Sequence, residues 1–568
     1  MRTGKIKLPL LIFMTAALIA ATGKNIIHKE KINSQNIIGC APPGGYDIIA
    51  GSDGKFITVL PGWGDHTYAI STNNDSAQLY FNQGLTLYYS YHPQQALASF
   101  KEAARFDSNC AILYWGQALA MGPNYNASPW YKMDKNVIPV LESMNNKALK
   151  ASSKEKDLIA AINKKYDVTD INDTGRNKLN NNYAEAMKLL VAKYPGDADI
   201  KALYIDGVMV MHTWDFWNND GTPQPWTTEL VDACKEILQH DPHHPGGLHY
   251  YIHVTEASRD PEVALFCADS LKKLFPGIAH MVHMSSHEFE RMGYYASGVD
   301  VNKKATQNIL MYDSLAKGLF PVHGFHYDAV QAYCALSGAM VISESMIARR
   351  NVKPDHGNYY QQYQYMFPEL AMVRKGKWNE ILTDTSTVKN DWQSAIMLEA
   401  FARGMAYAKQ DNLDDAKRQL ALLRSKMNDP VLQSSSAPFL NTSLECIAVP
   451  ENILEATILF QQKNYDAAIT AIKKAITAED KLKYAEPRQW LLPARQYLGA
   501  YLLQLNKPKE AESIYREDLV WNPGNGWSLL GLYQSLVAQN KMNEAAKYKP
   551  QYMYSFSHAE VMPTVSAY

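Results

Sequence analysis

The chain has 568 residues, 46% of them apolar and 20% charged, with 56 basic against 57 acidic side chains. That balance excludes a disordered polyelectrolyte and a general nucleic-acid surface, which needs a basic excess. Six cysteines (Cys40, Cys110, Cys234, Cys267, Cys334 and Cys446) stand far apart with no C-x-x-C, which excludes a Cys-rich zinc module and a disulfide-dense miniprotein.

The first predicted element is an export signal. Arg2, Lys5 and Lys7 precede an apolar run from Leu8 to Ala21, and small residues stand at Ala21 and Gly23. This is the layout of a secretory signal peptide over 1–23. The run of about 14 apolar residues is shorter than the roughly 20 that a spanning helix needs. The mature chain is therefore expected to be soluble, periplasmic or secreted, and without a transmembrane anchor. Residues 24–76 include CAPPGG and Gly/Asp-rich text, and read as irregular structure packed on the helical array.

From residue 77 onward helical periodicity recurs and strand alternation is weak. Gly84, Ala96, Phe100 and Ala103 stand at the spacing of a tetratricopeptide (TPR) repeat, and Gly499, Ala511, Tyr515 and Pro523 repeat it. A further copy starts at Trp527, Leu530 and Gly531, and helix pairs read at Ala402–Leu423 and Leu454–Ala478. Small residues let antiparallel helices approach, and large ones fill the seam. The segment YDVTDINDTG interrupts this pattern as an exposed, turn-rich loop. The expected organisation is TPR-like helices over 77–197, histidine-rich repeats over 198–345, C-terminal repeats over 346–548 and a tail over 549–568. The fold class is all-α, a TPR-like superhelix (solenoid) with a histidine-lined concave groove.

Eleven of the sixteen histidines fall between His212 and His326. HPGGLHYYIHVTEAS carries His249, His253 and Glu256; AHMVHMSSHEFER carries His283, His287 and Glu290, each 34 residues after its counterpart. Thirty-four is the TPR period, so the two H-x3-H-x2-E sets occupy one place in successive repeats. At 100° per residue, His249, His253 and Glu256 fall within about 60° of one another, and His280, His283, His287 and Glu290 within about 80°. Each set is one stripe, placed to face the groove, and four to five imidazoles with two carboxylates are expected to converge there. His323 and His326 start the next repeat and are candidate further ligands. His212 and Trp214, from the preceding repeat, and Arg291 are candidate substrate contacts. His240, His243 and His244 read as solvated, and Glu256 and Glu290 as ligands or general bases. Glu486, Trp490 and Arg495, in EPRQWLLPARQYLG, either face the same cavity from its far end or form a structural turn with a salt bridge.

Imidazole and carboxylate without thiolate suit a divalent transition metal: Zn, Fe, Mn or Cu(II). No P-loop, GxGxxG, GxSxG or HExxH motif is present. Three readings stand: a metal-dependent enzyme acting on a small or peptide-like ligand in the groove, a metal- or ligand-binding protein without turnover, and a protein–protein interaction scaffold.

Beyond these motifs, the stretches AQLYFNQGLTLYYSYHPQQALASFKEAARFDSN, HPGGLHYYIHVTEAS, HMVHMSSHEFERMGYY, EPRQWLLPARQYLG and NPGNGWSLLGLYQSL resemble a family of exported or cytosolic bacterial TPR proteins with no firmly assigned activity. The resemblance covers most of the mature chain. It implies an α–α superhelix around a groove and hands over no reaction. The chain departs from that family in carrying His92-Pro93 where Asn-His is usual, and Tyr125 where Ile is common.

Overall fold

Helices in this chain close in pairs because glycines let them meet across a single large ring. Phe100 is fully buried between Gly84 and Gly116, where a Cβ would fall 2.7 and 2.6 Å from its ring. Tyr515 stands in the same way between Gly499 and Gly531, where a Cβ would fall 2.3 and 2.2 Å from its ring. Any larger residue at these four positions would push the helices apart.

The computed structural model describes residues 47–126, 128–315, 324–350, 352–354, 356, 358–386, 388–433 and 441–568. The expected export signal, the segment up to residue 46, and His323 lie outside the described residues. The described residues form a TPR-like all-α solenoid, with no strand and one isolated bridge, Trp217 to Pro223. The irregular stretch from Asp47 to Asn74 packs as expected, with Leu60 N–H donating to Gln83 Oε1 at 2.8 Å. Helix Asp75–Tyr89 is capped by Asn74, which accepts from Ala77 N–H. Helices Ser153–Ile162 and Ser443–Gln461 open with capping boxes, Ser152 with Glu155 and Thr442 with Glu445. The C-terminal pairs are Gln393–Lys409 with Leu413–Lys426, and Ser443–Gln461 with Tyr465–Glu479. The last helix, Met542–Ser555, carries Pro550 within it and ends seven residues beyond the expected boundary at 548. Cys267 and Cys334 are buried helix residues, and the five described cysteines are free.

Two large apolar cores fill the repeats, one drawn from Ile48 to Tyr312 and one from Ala329 to Ala567. The C-terminal repeats return onto the histidine repeats. Trp527 Nε1–H donates to Ser337 O at 2.7 Å, Gly526 N–H to Tyr295 Oη at 3.2 Å and Glu560 N–H to Ala339 O at 2.9 Å. The histidines expected to line the concave groove are buried in the structure, and Glu486 from the C-terminal part contacts His287. Among the described residues no helix is long and apolar enough to cross a membrane.

Candidate metal centre

Three helices deliver the histidines. Pro245–Thr255 carries His249 and His253, Ala279–Arg291 carries His280, His283 and His287, and Gly324–Ser337 carries His326. All six are at most 5% exposed. They sort into two triplets, His249 with His253 and His280, and His283 with His287 and His326. Within each triplet, one nitrogen per ring lies within 4.8 Å of the others. The triplets are neighbours: the ring centres of His280 and His283 are 5.9 Å apart and those of His253 and His287 are 6.3 Å apart.

The hydrogen bonds of the rings select the free nitrogen. A carbonyl or carboxylate oxygen can only accept, so the nitrogen beside it carries the proton and the other keeps its lone pair. His249 Nδ1 donates to Tyr89 O at 2.6 Å, and His253 Nδ1 to Glu256 Oε1 at 3.1 Å. His283 Nδ1 donates to Asn302 Oδ1 at 2.6 Å, an amide fixed in turn by its NH2 on Gly298 O. His287 Nδ1 meets Glu256 Oε2 at 2.8 Å and also contacts Glu486. Four of the six rings thus present Nε2 as the ligand atom. This is how metal-binding histidines are oriented by a surrounding shell. Glu256 orients one ring in each triplet, one through each carboxylate oxygen.

One pair of rings needs a proton or a metal ion between its nitrogens. Nε2 of His283 and Nε2 of His287 face each other at 3.0 Å, while both Nδ1 atoms are already donating. Two lone pairs at that separation repel unless a proton or a metal ion lies with them. His249 Nε2 and His280 Nε2 are also 3.0 Å apart, but His280 Nδ1 bonds nothing, so the His280 proton can lie on Nε2 and be donated to His249. His253 Nε2, His280 Nδ1 and His326 Nδ1 are buried with no hydrogen-bond partner. Each such atom costs about 1–3 kcal/mol when nothing binds it.

Burial, and then the charge of neighbouring imidazoles, holds His249, His280 and His283 well below the usual histidine range. For the same causes His253 and His326 are pushed down to about 3. They stay neutral and able to ligate. Burial also opposes charge on His287, but Glu486 and Glu256 outweigh it and push the ring up to about 10. With no metal bound, the proton between His283 and His287 therefore belongs to His287.

The other expected site residues divide. Glu256 joins the centre. Glu290 does not: it is turned to Tyr333 and Arg488, because the next repeat stands where its stripe leaves the groove. The second carboxylate is Glu486, whose other oxygen accepts from Tyr484 Oη. Trp490 is buried and donates to Leu492 O at 2.6 Å, while Arg495 forms the salt bridge of the alternative reading, at 2.6 Å to Asp480 and 2.8 Å to Glu517. His212 stands outside the centre, stacked on Trp226 with ring centres 3.5 Å apart, and with Trp214 it lines an outer groove. Arg291 donates to the main-chain oxygens of Glu256 and, at 2.9 Å, Ser258. Tyr125 lies against His253, with ring centres 4.8 Å apart. His240 and His243 are exposed as expected, but His244 is fully buried, because it caps the Pro245–Thr255 helix by accepting Gly247 N–H at Nδ1.

No family model matches the chain, and no curated protein matches it. Among solved structures the chain is similar to the human IFIT1 dimer with PPP-AAAA, at 12% identity and a TM-score of 0.28 over 84% of this chain and 90% of that one. Yeast Tom70 aligns at 12% identity and a TM-score of 0.25, over 84% and 92%. The TPR domain of P58(IPK) aligns at 12% identity and a TM-score of 0.18, over 59% and 92%.

Proposed function

We propose that the protein is an exported helical-repeat metalloprotein that holds two transition-metal ions side by side, one per histidine triplet. The observation that carries this reading is the shared carboxylate. Glu256 bonds His253 with one oxygen and His287 with the other, leaving both Nε2 atoms for metal. Ligands supplied wholly by imidazole suit copper or zinc, with copper(II) favoured by the general affinity order, and suit manganese least. Two adjacent ions of this kind form a centre for metal-dependent chemistry on a small ligand. Glu256 then acts by orienting ligands, since both its oxygens are engaged, and Glu290 takes no part in the reaction.

The test is elemental analysis of the full chain purified without an affinity tag, after equilibration with copper or zinc. About two ions per chain are expected from two triplets. His253→Ala is expected to lose one and His287→Ala the other, with the helical circular dichroism signal retained. Metal content indifferent to both changes would leave a helical scaffold and remove the metal reading.

A further inference from the structure

A second cavity, distinct from the histidine centre, lies where the 479–490 segment meets the end of the histidine repeats. It holds about 100 Å³, and four arginines line it: Arg259, Arg291, Arg488 and Arg495, facing Glu479 and Asp480. These two acids offset only part of that charge. Asp480 is taken by Arg495 through two bonds of 2.6 and 2.7 Å. Glu479 accepts Ala494 N–H at 2.7 Å, and burial pushes it up to about 7, so much of its charge is lost near neutrality.

The three remaining guanidiniums bond only to neutral oxygens among the described residues. Arg259 donates to Asn219 O, Arg291 to the main-chain oxygens of Glu256 and Ser258, and Arg488 to Asn522 Oδ1. Arg291, a lining residue, is 4% exposed, and its Nε–H is buried without a partner. Burial, and then the nearness of Arg291 and Arg488, pushes Arg259 down to about 10. Arg488 also faces the Glu290 carboxyl, which offsets part of its charge, whereas Arg259 and Arg291 have no acid bonded to them; guanidiniums held together in this way bind oxyanions, because each planar fork matches two oxygens. Trp521 supplies a flat wall, with Arg259 stacked 3.5 Å from its ring centre.

We propose that this cavity binds a small organic oxyanion, a carboxylate or a phosphate ester. The site stands on its own arginines and does not require the metal reading. It adjoins the centre all the same. Tyr484 lines the cavity and donates to Glu486, which contacts His287, and Arg291 holds the peptide oxygen of Glu256. Tyr484 and Arg291 thus stand between the cavity and the two carboxylates that contact the histidines.

The experiment is calorimetric titration of the full chain with inorganic phosphate and, separately, with succinate. Binding of phosphate alone assigns a phosphoryl ligand and binding of succinate alone a carboxylate; both outcomes support the cavity. Arg259→Gln and Arg488→Gln are each expected to weaken the bound probe about 10- to 100-fold, as for loss of a charged hydrogen bond. Arg259 is only half buried, so its variant keeps the test open should the Arg488 variant fail to fold. His287→Ala, which lowers metal content if the metal reading holds, is expected to bind the probe within about twofold of the unmodified chain. No binding of either probe, or full affinity in both arginine variants, overturns the proposal. Loss of binding in His287→Ala alone also overturns it, since the anion is then a ligand of the metal.

Discussion

Two histidine clusters lie near each other in this molecule and obey opposite rules. His66, Asp199 and His244 bring their ligand-type atoms within 4.8 Å, as closely as either triplet of the centre. Yet His244 Nδ1 accepts Gly247 N–H at 3.0 Å, so its proton must sit on Nε2, which faces Asp199 at 3.4 Å. His66 pairs with Asp199 at 2.9 Å, and Tyr89 Oη donates to the same oxygen at 2.9 Å. Burial opposes charge on His66, but Asp199 outweighs it and raises the ring above its ordinary value. In this cluster the protons converge on one carboxylate: His66 and Tyr89 bond to Asp199, and His244 Nε2 stands 3.4 Å from it without forming a hydrogen bond. In the six-histidine centre four Nδ1 atoms are spent on oxygens, and the Nε2 atoms of His283 and His287, both on such rings, confront each other. Proximity of histidines does not make a metal site; the nitrogen that their hydrogen bonds leave bare does.

The contrast is broken most sharply at Asp199. Asp199→Ala removes the partner of two buried imidazoles and should cost about 3–5 kcal/mol of stability, measured by denaturant unfolding of the metal-free chain, as for a broken buried ion pair. Metal content should not change. If metal content falls with it, the two clusters are not separate.

The next largest effect is on the other side. The double change His253→Ala with His283→Ala takes one ligand from each triplet and should weaken metal affinity at least roughly tenfold, read by competition with a chelator. Glu256→Gln keeps the shape and every direct ligand. It should still weaken metal binding by about tenfold or more, because it loosens one ring in each triplet. Unchanged affinity in Glu256→Gln would mean that the shared carboxylate orients nothing.

Much of this is legible in the chain. The 34-residue register puts His249, His253, His283 and His287 on matching faces, and the structure brings them together with Glu256. What the register does not carry is what lies across the groove. Glu486 arrives from 199 positions beyond His287 through closure of the solenoid, and no local period signals that return. Glu290 shares the stripe of His283 and His287, but it lies one turn further on, where Tyr333 and Arg488 meet it. His244 reads as one of three polar turn residues until the Gly247 N–H it caps is known. The groove histidines are buried for the same reason that Glu486 reaches the centre: residues near in space are distant in sequence.

Two smaller effects sharpen the comparison further. His253 and His326 are pushed down to about 3 when folded, against 6.5 when unfolded. Groups depressed in this way contribute stability above the unfolded value and lose it as pH falls. The metal-free chain should therefore lose thermal stability between about pH 6.5 and 3, and His253→Ala should lose less over that window. Glu290→Gln, by contrast, should leave metal affinity within about twofold, since the residue points away from both triplets.

The most direct measurement is anomalous diffraction at the copper edge from crystals of the full chain grown with copper. The account predicts two peaks, one against Nε2 of His249 and His253, and one against Nε2 of His283 and His287. A lone peak between His66 and Asp199, or no peak among the six rings, would contradict it.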